Sequence, residues 1–147
     1  APEVVEQMAR AWMDARWAAV KAFPGAKEVL RTLKSRGVRL GLVTNGSAEV
    51  QSKKIDLLSL HNIFDHIQIE GAFGRGKPEP EVYFHALRVL DSESEETWMV
   101  GDNLEFDVLA PMRLGIYGVW VDQEGKGLPS DISTYPDRII RSVAELL

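Results

Sequence analysis

The chain has 147 residues, of which 45% are hydrophobic and 27% charged, an ordinary composition for one globular domain with a sizeable core; it excludes a disordered or collagenous chain. With no cysteine there is neither a disulfide framework nor a thiolate metal site, a usage that fits a reducing cytoplasm. The net charge of −5, a pI near 5.2 and the lack of any lysine–arginine run exclude nucleic acid as the main partner, and no apolar run approaches a membrane span.

In chain order, Val4, Val5, Met8, Ala9, Trp12, Ala15, Ala19 and Val20 fall at helical spacing and predict an amphipathic helix from Val4 to about Phe23, broken by Phe23-Pro24-Gly25. Ala26, Val29, Leu30 and Leu33 mark a second helix that stops at Ser35-Arg36-Gly37. Val38 to Val43 reads as a buried strand, and after Thr44-Asn45-Gly46-Ser47 a helix through Val50, Ile55, Leu57 and Leu58 leads to a strand at about His66 to Glu70. The loop Gly71 to Pro80 precedes a helix carrying Val82, Phe84, Leu87 and Leu90. Thr97 to Val100 is a third strand, Val108 to Leu114 a helix, Tyr117 to Val121 a fourth strand and Arg138 to Ile140 a short fifth. Pro111 is compatible with that helix only in its first turn, which predicts a start near Asp107.

Strands alternating with helices predict a parallel sheet covered on both faces, with the ligand crevice beyond the carboxyl ends of the strands. Thr44 and Asp102 both follow an apolar strand and would face that crevice. Thr44, Asn45 and Gly46 offer a hydroxyl, an amide and close backbone N–H groups that can hold phosphate oxygens, although an N-cap or turn is the plainer reading of these residues alone. Lys77, between Gly76 and Pro78, is a cation on a constrained loop able to neutralise a phosphate and a carboxylate together, or simply an exposed lysine. Gly101-Asp102, with Asp107 five positions later, suggests carboxylates for a hard divalent cation, where turn chemistry is the competing account.

Taken in order, Val43-Thr44-Asn45-Gly46, Gly76-Lys77-Pro78-Glu79-Pro80 and Val100-Gly101-Asp102 with Asp107 resemble the haloacid dehalogenase-like hydrolase superfamily, most closely its phosphatases with a helical cap. The resemblance implies a Rossmann-like three-layer α/β fold, with residues 23–147 as the carboxyl-terminal part of the core and residues 1–22 as a remnant of the cap, Trp12, Met13 and Trp17 packing rather than touching substrate. It implies that Thr44 and Lys77 are catalytic, that Thr44, Asn45 and Lys77 bind phosphate, that Asp102 coordinates Mg2+, and that Asp107 supports the metal or Lys77.

One departure stands out. The family's Asp-x-Asp motif, whose first aspartate attacks phosphorus, is not found: Asp14 and Asp56 lie in helical patterns, Asp91 lies in a polar loop, and Asp122 reads as a surface turn. The central strand that carries this motif would be missing too, leaving two neighbouring strands with unpaired edges. We therefore expect these residues to be part of a longer chain, or a fragment that self-associates to borrow a strand. The expected activity of the complete protein is Mg2+-dependent hydrolysis of a small phosphorylated metabolite in the cytoplasm through an aspartyl-phosphate, with the fragment inactive alone. The rival is a non-catalytic, split or degenerate relative acting by binding or association; a receiver-type domain is disfavoured by the motif order. His61, His66 and His85 show no partner pattern and read as surface or packing residues.

Overall fold

A computed structural model describes residues 1–147. Helix α1 (Pro2–Ala18) begins with proline, whose missing N–H costs nothing in a first turn. It ends earlier than the spacing predicts: the Ala19 and Val20 N–H groups close its last turn, and Lys21 to Phe23 run non-helical into Pro24, which disfavours helical backbone before it. No residue of α1 is buried. Helix α2 (Ala26–Ser35) follows and stops at Gly37, whose φ of 84° suits glycine alone.

Strand β1 (Gly41–Thr44) is shorter than the expected Val38–Val43, because the Asp65 carboxylate takes the Leu40 N–H at 2.8 Å in place of a strand partner. Ser47 Oγ caps α3 (Ala48–Leu57) by accepting from Val50 N. Strand β2 (His66–Ile69) runs into the short α4 (Glu70–Phe73), a helical turn within the expected loop, and α5 (Pro80–Val89) again starts on proline. After β3 (Trp98–Gly101) comes a π-helical turn (Leu104–Leu109), then α6 (Ala110–Met112), β4 (Tyr117–Val121) and β5 (Arg138–Ile140). The helix expected near Asp107 thus begins at Leu104, capped by Asn103 Oδ1 on the Phe106 N–H at 2.8 Å. Pro111 explains the wide turn: it has no N–H for the Asp107 carbonyl and its ring crowds that oxygen, so the preceding residues open out.

The predicted mixed α/β architecture with parallel strands holds, but the sheet is divided. β1 pairs with β2 and β3-β4-β5 form a second ladder, every pairing parallel, with no ladder between β1 and β3. The Leu40 carbonyl accepts from Asp65 and His66 N–H groups, so alternation turns the peptide groups of Gly41 and Val43 away from β2. The Tyr117 N–H donates to Thr97 O, which likewise turns Trp98 and Val100 away from β4. These free edges are half-exposed in β1 and β3, whereas Gln68 and Ile69 of β2 and Val119 and Trp120 of β4 are buried. Parallel strands are normally covered on every side, so the exposure follows the division. Tyr83 and Leu87 of α5 pack with Ala110 and Ile116 to form the core beside the larger ladder.

Candidate active site

Lys77 is held from three directions. Its ammonium lies 2.6 Å from Asp107 Oδ1 and 3.1 Å from the Val43 carbonyl, with the two charged side chains only 10% and 9% exposed. Its backbone is gripped by Asn45, which donates through Nδ2 to Lys77 O and accepts the Lys77 N–H on Oδ1, both at 2.8 Å. The Lys77–Pro78 peptide is cis. Through its contacts with Val43 O and Asp107 the ammonium bridges the free edge of β1 and the segment after β3, at the carboxyl ends of both strands.

Thr44 ends β1, and its hydroxyl makes one long bond of 3.3 Å to Asn45 O, which an incoming anion can replace. The next turn is fixed by Gly46, at φ 113°, whose N–H donates to Glu70 Oε2 at 2.7 Å and whose carbonyl accepts from Gly71 N at 3.0 Å. The structure thus brings Asn45, Lys77 and Asp107 into one hydrogen-bonded unit, with Thr44 beside it.

Asp102 stands apart. Its side chain is exposed, and the contact that fixes it is through its backbone, the Trp120 indole N–H donating to Asp102 O at 2.9 Å. Asp107 is fully engaged: Oδ1 with Lys77, Oδ2 with the Asn103 N–H at 3.0 Å. Its geometry is that of a support for Lys77. No group of three or more histidine, aspartate or glutamate side chains gathers here, so the chain builds no complete cage. One exposed carboxylate nevertheless fits Mg2+, which keeps several waters and takes its remaining ligands from a phosphate.

Tyr83 and Trp120 are contributors that sequence reading misses. The Tyr83 hydroxyl donates to Phe106 O at 2.6 Å, so with Trp120 it pins both ends of the Asp102–Asp107 segment. Burial first, then the charges of Asp107 and Glu105, push the Tyr83 phenol above its ordinary value, which keeps it a donor. Polar-tipped aromatics inside apolar runs are the available signal.

The other aspartates lie elsewhere. Asp122 is 7% exposed and closes its turn by accepting from the Lys126 and Gly127 N–H groups at 3.0 and 2.9 Å; Asp56 pairs with His61 and Asp91 with Arg39. His66 and His85 pack with Phe73 and Gln68. A groove of about 480 Å³ between Leu104, Met112, Pro129 and Ile132 contains none of Thr44, Lys77, Asp102 or Asp107.

Parallel ladders whose polar loops converge beyond the carboxyl ends of β1 and β3 define a Rossmann-like α/β protein. The profile of the haloacid dehalogenase-like hydrolases matches residues 1–121, and the chain belongs to that family. It is 34% identical over 147 residues to a phosphoserine phosphatase of Thermus thermophilus, which spans 99% of this chain and 57% of that protein. It is 33% identical over 119 residues to a glyceraldehyde 3-phosphate phosphatase of Pyrococcus abyssi, 81% of this chain and 50% of that one. The crystal structure of the HAD-hydrolase YfnB from Bacillus subtilis, bound to magnesium, superposes with a TM-score of 0.77 at 26% identity, covering 88% of this chain and 56% of that one. The chain therefore spans about half the length of these relatives.

Proposed function

We propose that this chain supplies the phosphate-binding half of a Mg2+-dependent phosphohydrolase acting on small phosphorylated metabolites. The observation that carries the reading is the buried Lys77 ammonium, fixed between Asp107 and the Val43 carbonyl at the strand ends. Phosphoryl transfer is mostly positioning and charge neutralisation, and a preorganised ammonium, the Thr44 hydroxyl and the Asn45 turn are suited to hold the oxygens of a phosphate. Asp102 would hold Mg2+, which when bound neutralises phosphate charge. Asp107 acts through Lys77, keeping the ammonium oriented while the phosphate is absent. The attacking carboxylate is assigned to a segment outside these residues that enters between β1 and β3, and α1 to the base of a helical cap. The names of the Thermus and Pyrococcus relatives favour phosphate esters, and the exposed Asp102 favours a phosphatase over metal-free dehalogenation.

The free edges of β1 and β3 favour a second reading, in which the chain acts by association and repairs its sheet with a strand from a partner. One experiment separates the two. Hydrolysis of p-nitrophenyl phosphate is measured with Mg2+ and with EDTA, for the 147-residue chain and for its complete gene product, alongside intact mass. Mg2+-dependent turnover by the complete product alone supports the hydrolase; no turnover by either, with a concentration-dependent rise in molecular mass, supports association and overturns it.

A further inference from the structure

Glu70 occupies an unexpected place for a carboxylate. It opens α4 directly after β2, yet its side chain reaches back to the turn after β1, where Oε2 accepts the Gly46 N–H at 2.7 Å. The next residue completes the grip, since Gly71 N donates to Gly46 O at 3.0 Å, so both ends of the Gly46 residue are fixed by two consecutive positions. On its other side the same carboxyl lies against Gly76: a Cβ there would fall 2.5 Å from Glu70 Oε1, so only glycine lets the two approach. Gly76 is buried and immediately precedes Lys77.

These contacts close a ring. Asn45 holds the Lys77 backbone by two bonds, Lys77 follows Gly76, Gly76 rests on Glu70, and Glu70 holds Gly46, which follows Asn45. A carboxylate beside an anion site opposes the anion by its charge, and here it also keeps one N–H of the turn for itself. Its compensating effect is geometric, since it sets the separation between the Thr44–Gly46 turn and the Gly76–Lys77 turn.

We infer that Glu70 is a positioning residue that locks these two turns in register, so that Thr44, Asn45 and Lys77 meet one phosphate together. The inference rests on the reading of this site as a phosphate site. Inorganic phosphate is titrated into the 147-residue chain and into its Glu70→Gln, Glu70→Asp and Glu70→Ala variants, with the Gly46 and Lys77 amides followed by NMR for shift and hydrogen exchange. Glutamine keeps an acceptor at the right reach and is expected to bind phosphate as the parent does or slightly tighter. Aspartate is one methylene short and alanine has no acceptor; both are expected to weaken binding about tenfold, the scale of one charge-assisted hydrogen bond, and to speed Gly46 exchange.

A carboxylate that merely repels the anion predicts the reverse, with all three variants binding more tightly, and that result overturns the inference. So does unchanged affinity in the aspartate and alanine variants, whatever the Gly46 amide does. Should alanine fail to fold, the aspartate variant decides. Should the parent itself bind no phosphate, the phosphate reading fails, while faster Gly46 exchange in the aspartate variant still upholds the lock and unchanged exchange removes it.

Discussion

Lys77 Nζ sits 2.6 Å from Asp107 Oδ1, a charge pair about nine-tenths shielded from water and joining the free edge of β1 to the segment after β3. Buried pairs cost much desolvation, and the loss of one partner is worse than the loss of both. Lys77→Ala is therefore expected to destabilise the chain by about 3–5 kcal/mol, leaving Asp107 uncompensated. The double variant Lys77→Met/Asp107→Leu should recover most of that loss in urea unfolding. A double variant less stable than Lys77→Ala would show that the pair is not coupled as the geometry requires.

Asn45 is bonded on both faces of its amide to the Lys77 backbone. Asn45→Ala strands the Lys77 N–H and carbonyl, and a loss of about 1–3 kcal/mol is expected. Asn45→Asp retains the acceptor and should fall between the parent and alanine. Thermal unfolding of the three proteins tests the order.

On the proposed reading Asp102 serves binding rather than the fold: the residue is exposed, and its backbone is held by Trp120. Asp102→Asn should leave stability within about 0.5 kcal/mol of the parent. Its Mg2+ affinity in the presence of phosphate should drop by more than the roughly 10–100-fold that losing an outer partner of a metal ligand costs. Calorimetric titration with Mg2+ gives the affinity, and an unchanged value would remove Asp102 from the metal site.

Asp122 gives the chain an acid-sensitive element. The Gly127 N–H, then that of Lys126 and the charge of Arg141, hold its carboxyl below the ordinary value of 3.8 against the opposing effect of burial. A carboxyl depressed in the folded state stabilises it fully above the unfolded value, and that contribution disappears as pH falls through the lower folded value. The stability gap between the parent and Asp122→Asn should therefore be widest at neutral pH and close in acid. Urea midpoints across that range measure it, and a gap independent of pH would assign the turn to packing alone.

Much of this was legible in the chain. Tyr117 to Val121 and Arg138 to Ile140 are the strands their apolar runs predict, and the order of elements predicts the parallel pairings. What failed to read were features decided by distant partners. Leu40 looks like strand until Asp65, far along the chain, takes its N–H. The turn at Leu104 depends on how Pro111 crowds its own past, which periodicity does not encode. Glu70 reads as the end of a strand, because nothing local announces that its carboxyl belongs to Gly46. Trp12 reads as a packing residue, yet is 62% exposed on α1, with Arg16 over its ring.

The division of the sheet has a dynamic signature. Along β1 the amide of Leu42 points into the ladder with β2 while those of Gly41 and Val43 point into the gap, and along β3 Met99 alternates in the same way with Trp98 and Val100. Deuterium should therefore enter these two strands as a comb, every second amide labelling early. A strand arriving between them would erase the comb on both sides at once, turning two separate edges into a single cooperative unit of opening.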